Sequence, residues 1–435
     1  MTDQLQDTLA AAGQAKVLVV LEPAATPGPT AAATATIASA AVLESSLAQY
    51  FIPPGEQQIA SLAAAAASAA PATRRAARAA RAAPPAPPVR VYPRLGLALG
   101  IVSPSSASAL EADPRVREVH LAPQPSLIRP IEVRAAKPKV QPTWGIKRLK
   151  VPQLWAQGVT GKGVRVAHLD TGVDGSHPAL KNAIAAFAEF DLLGNQIPNA
   201  KPTDSGEHGT HTAGTILGRA IAKKNAFGVA PEAKLVSAMV IEGGQVIDRI
   251  IGGLEWIVGQ DVRILSLSLG LRGFTTAFQA AIDALRRNNI LPVCAVGNEF
   301  ALTSRSPGNY DNVLSVGAID RNDLVANFSS SQTFDRPTDP LVPDIVAPGV
   351  GVLSCVPGKR FAEMDGTSMA TPHVAGLAAL LQSARPDASA SDLEAAILAS
   401  CTRPNTMPQG RANRGVPDAV VALAQLTGAE AALVA

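Results

Sequence analysis

Apolar residues follow two different patterns along the chain. From residue 144 onward, short runs of Val, Ile and Leu alternate with helical stretches of ten or more residues. Such runs are typical of strands buried on both faces, and alternation with helices predicts βαβ units. The predicted strands are residues 164–169, 233–240, 263–269, 290–295 and 313–316, and the helices between them include 246–259 and 276–288. We therefore expect an α/β fold, in which helices cover both faces of a parallel sheet.

The first 140 residues are dominated by Ala and Pro and hold few aromatic residues. Strands are predicted at residues 16–21, 89–99 and 116–121, the second long enough to form a hairpin, and helices at 33–49 and 105–112. The order fits a small α+β domain with two helices over one sheet. We expect one domain at residues 1–140 and a second at 141–435.

A low-complexity insert at residues 57–88 interrupts the first domain. It passes from an alanine run through a basic stretch into a proline-rich one. Arg74, Arg78 and Arg81 would share one face of a helix. Short basic runs of this kind are typical of a solvated face, and an anionic partner is the alternative.

Composition narrows the class of protein. The net charge of +3 is too small to indicate nucleic acid or an anionic membrane as a partner. Three cysteines, Cys294, Cys355 and Cys401, are too few for a disulfide framework and read as buried thiols. The acidic, polar N-terminus does not resemble a signal peptide, and no segment is long and apolar enough to span a bilayer.

Three motifs carry candidate chemistry. Residues 166–172 (VAHLDTG) run from a buried strand into an acid and a turn, residues 208–214 (HGTHTAG) begin a tightly packed helix, and residues 366–376 (GTSMATPHVAG) begin a longer one. A serine hydroxyl needs an adjacent base to become a nucleophile, histidine can supply that base, and a carboxylate orients the imidazole. Taken alone, each motif is weak evidence for a catalytic serine, histidine or aspartate. The Asp-Thr-Gly turn also fits an aspartyl protease or a metal site, and position does not choose among six histidines.

Together, and in this order, the motifs resemble those of the subtilases, the subtilisin-like serine peptidases. The resemblance covers residues 144–424 and includes the runs GVAP, SLSLG, AVGNE and APG. It implies a subtilisin-like fold and a serine endopeptidase that forms an acyl-enzyme on Ser368. It also implies a triad of Asp170, His208 and Ser368, with the Asn298 amide as an oxyanion-hole donor. His211 and His373 then read as structural.

The resemblance also implies a substrate-binding groove. Ser268, Leu269 and Gly270 would form an edge that pairs with an extended peptide. Ala295, Val296 and Gly297 would line the pocket for the residue before the scissile bond, with Gly308 at its base. Glu299 would either sit at the pocket rim and modestly favour basic side chains or be a solvated loop residue.

More loosely, residues 1–140 resemble the subtilase inhibitor propeptide, a ferredoxin-like α+β domain. This implies a self-processing proenzyme, cut between residues 121 and 144 and inhibited by its own propeptide. We expect protein or peptide substrates, no nucleic-acid or membrane partner, and a monomer. The lack of a visible signal peptide indicates a cytoplasmic protein, whereas analogy with the family indicates a secreted one. A peptide ligase with the same triad and a non-catalytic scaffold are the alternatives.

We expect no cofactor and no metal at the catalytic site. The strong calcium site of many subtilases uses the loop that here spans residues 218–225 and a position that here is Ala179. Ala179 has no side-chain oxygen, and the loop contains Arg219, Lys223 and Lys224. Calcium needs six to eight oxygen ligands. We therefore expect the strong site to be absent, while a weaker calcium or sodium site elsewhere stays open.

Overall fold

A computed structural model describes residues 2–22, 32–55, 87–138, 141–221, 227–241 and 246–428. Most of the insert at residues 57–88, including Arg74, Arg78 and Arg81, lies outside these ranges. Both interpretations of the insert therefore stay open.

The central feature of the larger domain is a sheet of seven parallel strands, which confirms the predicted fold class. In spatial order the strands are β17 (Ile345–Pro348), β14 (Leu314–Ile319), β12 (Leu291–Ala295), β10 (Ile264–Leu267), β7 (Arg165–Asp170), β9 (Lys234–Met239) and β8 (Ile184–Glu189). The sequence did not predict the two edge strands. β8 is rich in alanine and β17 ends in proline, and both features disfavour strands.

Helices cover both faces of this sheet. On one face, α6 (His208–Leu217) and α9 (Thr367–Ala384) pack over a core that includes Val166. On the other, α7 (Ile247–Val258) and α8 (Gln279–Arg287) pack over a core that includes Ala167 and Leu169. Successive residues of β7 thus enter opposite cores, which explains why its apolar run is nearly continuous.

Shorter elements complete the larger domain. The helices are α4 (Trp144–Arg148), α5 (Val151–Ala156), α10 (Ala390–Ala399), α11 (Gln409–Ala412) and α12 (Ala419–Thr427). The short strands are β11 (Leu269–Arg272), β13 (Arg305–Ser306), β15 (Gln332–Thr333), β16 (Leu341–Val342), β18 (Val352–Val356) and β19 (Arg360–Asp365). Cys294 and Cys355 are buried, Cys401 is partly buried, and all three are free thiols. Among the described residues, no helix is long and apolar enough to cross a membrane.

The N-terminal domain is a four-stranded antiparallel sheet in the order β2-β3-β1-β4. Its elements are α1 (Asp3–Ala12), β1 (Ala15–Leu21), α2 (Ala32–Leu47), β2 (Val89–Tyr92), β3 (Leu97–Val102), α3 (Pro104–Glu111) and β4 (Val116–Leu121). The predicted hairpin and both predicted helices are present, and α1 is an additional helix. Ser103 caps α3 by accepting a hydrogen bond from the Ser106 backbone N–H at 3.2 Å.

One face of the N-terminal sheet packs against the larger domain. Val17 and Val19 of β1 enter the core of the N-terminal domain, whereas Leu18 and Val20 join the core beneath α7. Lys16 forms an ion pair with Asp248, and Arg94 Nη1 lies 3.2 Å from Glu255 Oε1. Both faces of β1 are therefore buried, although the sheet is antiparallel.

Two strands connect the domains. β5 (Ser126–Leu127) pairs with β11, and β6 (Glu132–Ala136) pairs with β19. By strand pairing, the end of the first 140 residues belongs to the larger domain. The functional boundary at residue 140 stays a prediction.

Candidate active site

The strand β7 ends at Asp170, whose buried carboxylate faces a histidine. Asp170 Oδ1 accepts the Thr171 backbone N–H at 2.7 Å, and His208 Nδ1 lies 2.7 and 2.9 Å from the two carboxylate oxygens. Burial alone would raise the pKa of Asp170, but the charge of His208 and hydrogen bonds from His168 and His208 hold it below its usual value. Asp170 is therefore ionised and fixes the ring of His208.

Two glycines allow this approach of strand and helix. Gly172 has a φ of +112°, and a Cβ there would lie 2.1 Å from the Thr203 carbonyl oxygen. A Cβ at Gly209 would lie 2.0 Å from the Gly172 carbonyl oxygen. The turn after β7 can thus touch the first turn of α6 only because both positions lack a side chain.

Ser368 is the second residue of α9. Four residues later, Pro372 has no N–H to donate to the Ser368 carbonyl. The Ser268 hydroxyl donates to that carbonyl instead, at 3.3 Å. This hydrogen bond connects Ser268, the residue just before β11, with the start of α9 at the candidate site.

Asn298 follows β12 and is oriented by the start of α9. Its Oδ1 accepts the backbone N–H and the hydroxyl of Thr367, each at 2.9 Å. This fixes the amide so that Nδ2 points into the groove, where it donates to the Arg129 carbonyl at 2.9 Å.

Residues 126–136, which we call the crossing segment, run through this groove. Ser126 and Leu127 lie opposite Gly270 and Leu269 in an antiparallel ladder, and the Ile128 N–H donates to the Ser268 carbonyl at 3.1 Å. On the other side of Ser368, the segment continues as β6 alongside β19. The groove is therefore filled by an extended peptide of the same chain.

The crossing segment engages Ser368 directly. The Ser368 hydroxyl donates to the Ile128 carbonyl oxygen at 2.6 Å. Among the described residues, His208 Nε2 is buried and has no hydrogen-bond partner. Asn298 holds the carbonyl of the next residue, Arg129. Ser368 and Asn298 thus hold two consecutive carbonyls of the crossing segment, and among the described contacts the serine is not hydrogen-bonded to the histidine.

Comparison with known proteins decides the family. Residues 161–418 match the family model described as "Subtilase family". The chain is 37% identical to M-protease of Shouchella clausii (strain KSM-K16) over 290 residues, which cover 66% of this chain and 68% of that protein.

The chain belongs to the subtilase family.

Other relatives agree. The subtilase is 40% identical to subtilisin BL of Lederbergia lenta over 248 residues, 56% of this chain and 85% of that protein. It is 39% identical to the major intracellular serine protease of Bacillus subtilis (strain 168) over 248 residues, 55% of this chain and 74% of that protein. It is therefore a serine endopeptidase, a hydrolase whose substrates are proteins.

Three of the residues expected to bind substrate contact the crossing segment, and the others lie at the end of β12 and behind it. Ser268, Leu269 and Gly270 contact it through the backbone. Ala295, Val296 and Gly297 are buried at the end of β12. Gly308 packs behind them, because a Cβ there would lie 2.3 Å from the Ala295 carbonyl oxygen.

Glu299 is neither solvated nor free. Its carboxylate pairs with the guanidinium of the buried Arg305, whose Nε lies 3.0 Å from Oε1, and with Arg272 at 3.7 Å. Burial would raise the pKa of Glu299, but Arg305 holds it below its usual value. The charge of Arg305 offsets that of the carboxylate, and the modest preference for basic side chains stays a prediction.

Sequence reasoning missed three participants. Ile128 and Arg129 lie in the segment expected to contain the cut, but no motif marks them. Arg305 donates from Nη1 to Ser126 Oγ at 2.9 Å and to the Gly270 carbonyl at 3.3 Å. The signal that could have found Arg305 was its position directly before the Ser306-Pro307-Gly308 turn.

The histidines expected to be structural lie as expected. His211 Nε2 donates to the Val352 carbonyl at 2.9 Å, and burial lowers its pKa to about 3. His373 Nδ1 donates to the Met369 carbonyl at 2.8 Å. Within the loop expected to lack calcium, residues 222–225 lie outside the described part of the chain, so that expectation stays a prediction.

Proposed function

We propose that this endopeptidase acts through a triad of Asp170, His208 and Ser368 with Asn298 as oxyanion-hole donor, and that it is made as a self-processing proenzyme. The observation that carries the proposal is the crossing segment in the groove, whose Ile128 carbonyl accepts from the Ser368 hydroxyl and whose next carbonyl, that of Arg129, accepts from the Asn298 amide.

The geometry supports a defined role for each group. His208 Nε2 takes the Ser368 hydroxyl proton as Oγ bonds to the carbonyl carbon, and the imidazolium is stabilised by Asp170 through Nδ1. Nε2 then gives the proton to the departing amine. A water, deprotonated by His208, hydrolyses the acyl-enzyme and frees Ser368.

Asn298 acts on the charge that develops during attack. Nδ2 donates to the carbonyl oxygen as it becomes an oxyanion, and Thr367 keeps the amide in the required orientation. The donor is preorganised and does not need to turn during the reaction.

The same site supports cleavage of the chain itself. The carbonyl nearest Ser368 is that of Ile128, so the bond to be cut is Ile128–Arg129, within the expected range of residues 121–144. For attack, the Ser368 hydroxyl must turn to His208 Nε2, and the Ile128 carbonyl must replace that of Arg129 at Asn298.

The N-terminal domain is suited to inhibit the enzyme after the cut. It fills the groove through β5 and packs one face of β1, β2 and β3 on the larger domain. Separately expressed residues 1–140 should inhibit the mature enzyme as a consequence.

The test is a peptide digest combined with fluorophosphonate labelling. Wild type should give hydrolysed products by mass spectrometry, and Ser368→Ala should lose both hydrolysis and labelling. Ser383→Ala, on the same helix but remote from the site, should keep both. Labelling of Ser368→Ala at another serine would contradict the assignment of the nucleophile. Joined peptides instead of hydrolysed ones would indicate a ligase.

A further inference from the structure

A second buried histidine lies beside the triad and has no role in it. His168 precedes Asp170 by two residues on β7, so the two side chains lie on the same face of the sheet. Its ring is 1% exposed. Nδ1 lies 3.0 Å from Ser237 Oγ, and Nε2 lies 2.9 Å from Thr212 Oγ1 and 3.5 Å from Asp170 Oδ2.

The neighbours of His168 indicate where its proton lies. Asp170 Oδ2 can only accept hydrogen bonds, and a lone pair on Nε2 would face this negative charge. The Thr212 hydroxyl can accept from Nε2–H, because its own proton has acceptors in the His208 carbonyl at 3.1 Å and Asp170 Oδ2 at 3.3 Å. Ser237 can donate to Nδ1. The tautomer with hydrogen on Nε2 therefore satisfies every contact.

We propose that His168 is a positioning residue that directs its Nε2–H at Thr212 and Asp170 and so restrains how strongly Asp170 stabilises protonated His208. The inference rests on the proposed triad. A donor on Oδ2 withdraws carboxylate charge that His208 would otherwise use.

No other charged group on the surrounding elements is directed at His168. β9 and β10 flank β7, and α6 and α9 cover this face. The other titratable residues of these five elements are Arg165, Lys234, His208, His211 and His373. Arg165 is exposed at the start of β7, Lys234 bonds the Asn182 carbonyl, and His211 and His373 bond the carbonyls given above.

Two substitutions separate the ring nitrogens of His168. Gln places its amide N–H near the position of Nε2, and Asn places its amide near that of Nδ1. His168→Gln should therefore keep the donor to Thr212 and Asp170, and His168→Asn should lose it. Ser266→Ala is the control. Ser266 is the neighbour of His168 in β10, and its hydroxyl has no partner among the described residues.

The first measurement is the NMR titration of His208 in full-length Ser368→Ala, which requires no turnover. The midpoint should rise in His168→Asn by about half to one pH unit and stay unchanged in His168→Gln and Ser266→Ala. The second is the pH profile of kcat/KM in the processed enzyme. A rise of one unit lowers kcat/KM about tenfold on the acid limb and leaves the alkaline plateau unchanged.

The outcomes separate this proposal from the proposed function. The His208 midpoint could be equal in the Ser368→Ala parent and its three variants, or could shift equally in His168→Gln and His168→Asn. Either result would show that His168 contributes only packing, even if the substitutions change Tm. The wild type could prove inactive while the His208 midpoint in the Ser368→Ala background still rises on His168→Asn substitution. That result would contradict the endopeptidase mechanism and leave the coupling between His168 and His208 intact.

Discussion

Single side chains at this site are oriented by neighbours that do not take part in the reaction. Asn298 is the example, because Thr367 satisfies its Oδ1 twice and leaves Nδ2 free to donate. The orientation of the amide thus depends on Thr367, the first residue of α9.

Asn298→Ala should lower kcat with little change in KM, because the donor acts mainly in the transition state. In subtilisin, removal of this kind of donor lowers kcat by about 10²–10³. Thr367→Val removes only the hydroxyl that orients the amide and should cause a smaller loss. Steady-state kinetics of the processed enzymes measure both, and an unchanged kcat in Asn298→Ala would make Asn298 a turn residue only.

Asp344 should make stability depend on pH. Burial raises its pKa to about 7, opposed by the Ser315 N–H at 2.7 Å. The folded state holds this proton up to about pH 7, whereas the unfolded state releases it near pH 4. The Asp344 contribution to the free energy of unfolding therefore falls as pH rises from 4 through 7.

Asp344→Asn should remove that dependence. The measurement is thermal unfolding in the Ser368→Ala background. The Tm of Asp344→Asn minus the Tm of its parent should be larger at pH 9 than at pH 5. Asp335→Asn, at an exposed position, should follow the parent at both pH values. A constant difference between Asp344→Asn and its parent would show that the carboxyl is ionised throughout.

At the residue scale, side-chain chemistry alone could not select which histidine is the proposed catalytic base. Six histidines are present, and the choice of His208 came from the resemblance of its motif. The structure adds the physical reason, since among the described contacts only His208 brings Nδ1 within 3 Å of the Asp170 carboxylate. Ile128 and Arg129 could not be found, because a segment that is held through its backbone carbonyls has no side-chain chemistry to mark it.

At the scale of elements, apolar runs predicted the strands that are buried on both faces. They failed for β8 and β17, which lie at the sheet edges, and for β5 and β6, whose partners β11 and β19 lie far along the chain. A strand of two residues such as β5 has no period to detect, and its pairing depends entirely on β11.

The crossing segment provides a matched pair of substitutions. Ile128, at the proposed cleavage site, is fully buried, and Ile131, three residues later, is 55% exposed. Ile128→Asp places a charge in an apolar pocket and should slow processing by about tenfold or more. Ile131→Asp makes the same chemical change in solvent and should be processed normally.

The measurement is the rate at which the full-length band disappears on a gel. Equal rates for Ile128→Asp and Ile131→Asp would mean that the bond after Ile128 is not the one that Ser368 attacks.

At the scale of the whole molecule, the sequence separated a small α+β domain from an α/β domain, and both are present. It did not predict that one sheet face of the small domain joins the core beneath α7. The apolar run of β1 carried this information, because an antiparallel sheet with one solvated face would alternate polar and apolar residues.

Calcium should not stabilise this molecule through the loop at residues 218–225. Ala179 supplies no oxygen, and the loop's cations would repel a divalent ion. Thermal unfolding of Ser368→Ala should give the same Tm with EDTA and with excess calcium. A site filled at about 100 times its Kd would add about 2.7 kcal/mol, so a large calcium-dependent rise traced to this loop would overturn the expectation.

The intact mass of purified Ser368→Ala beside that of wild type tests the central claim most directly. If Ser368 cuts its own chain, wild type should yield a fragment that begins at Arg129. Ser368→Ala should remain at 435 residues, since its fold loses only one hydroxyl. Wild-type protein added in a small amount should then cut the mutant at the same bond. A Ser368→Ala protein that is processed normally when purified alone would contradict self-cleavage by this triad.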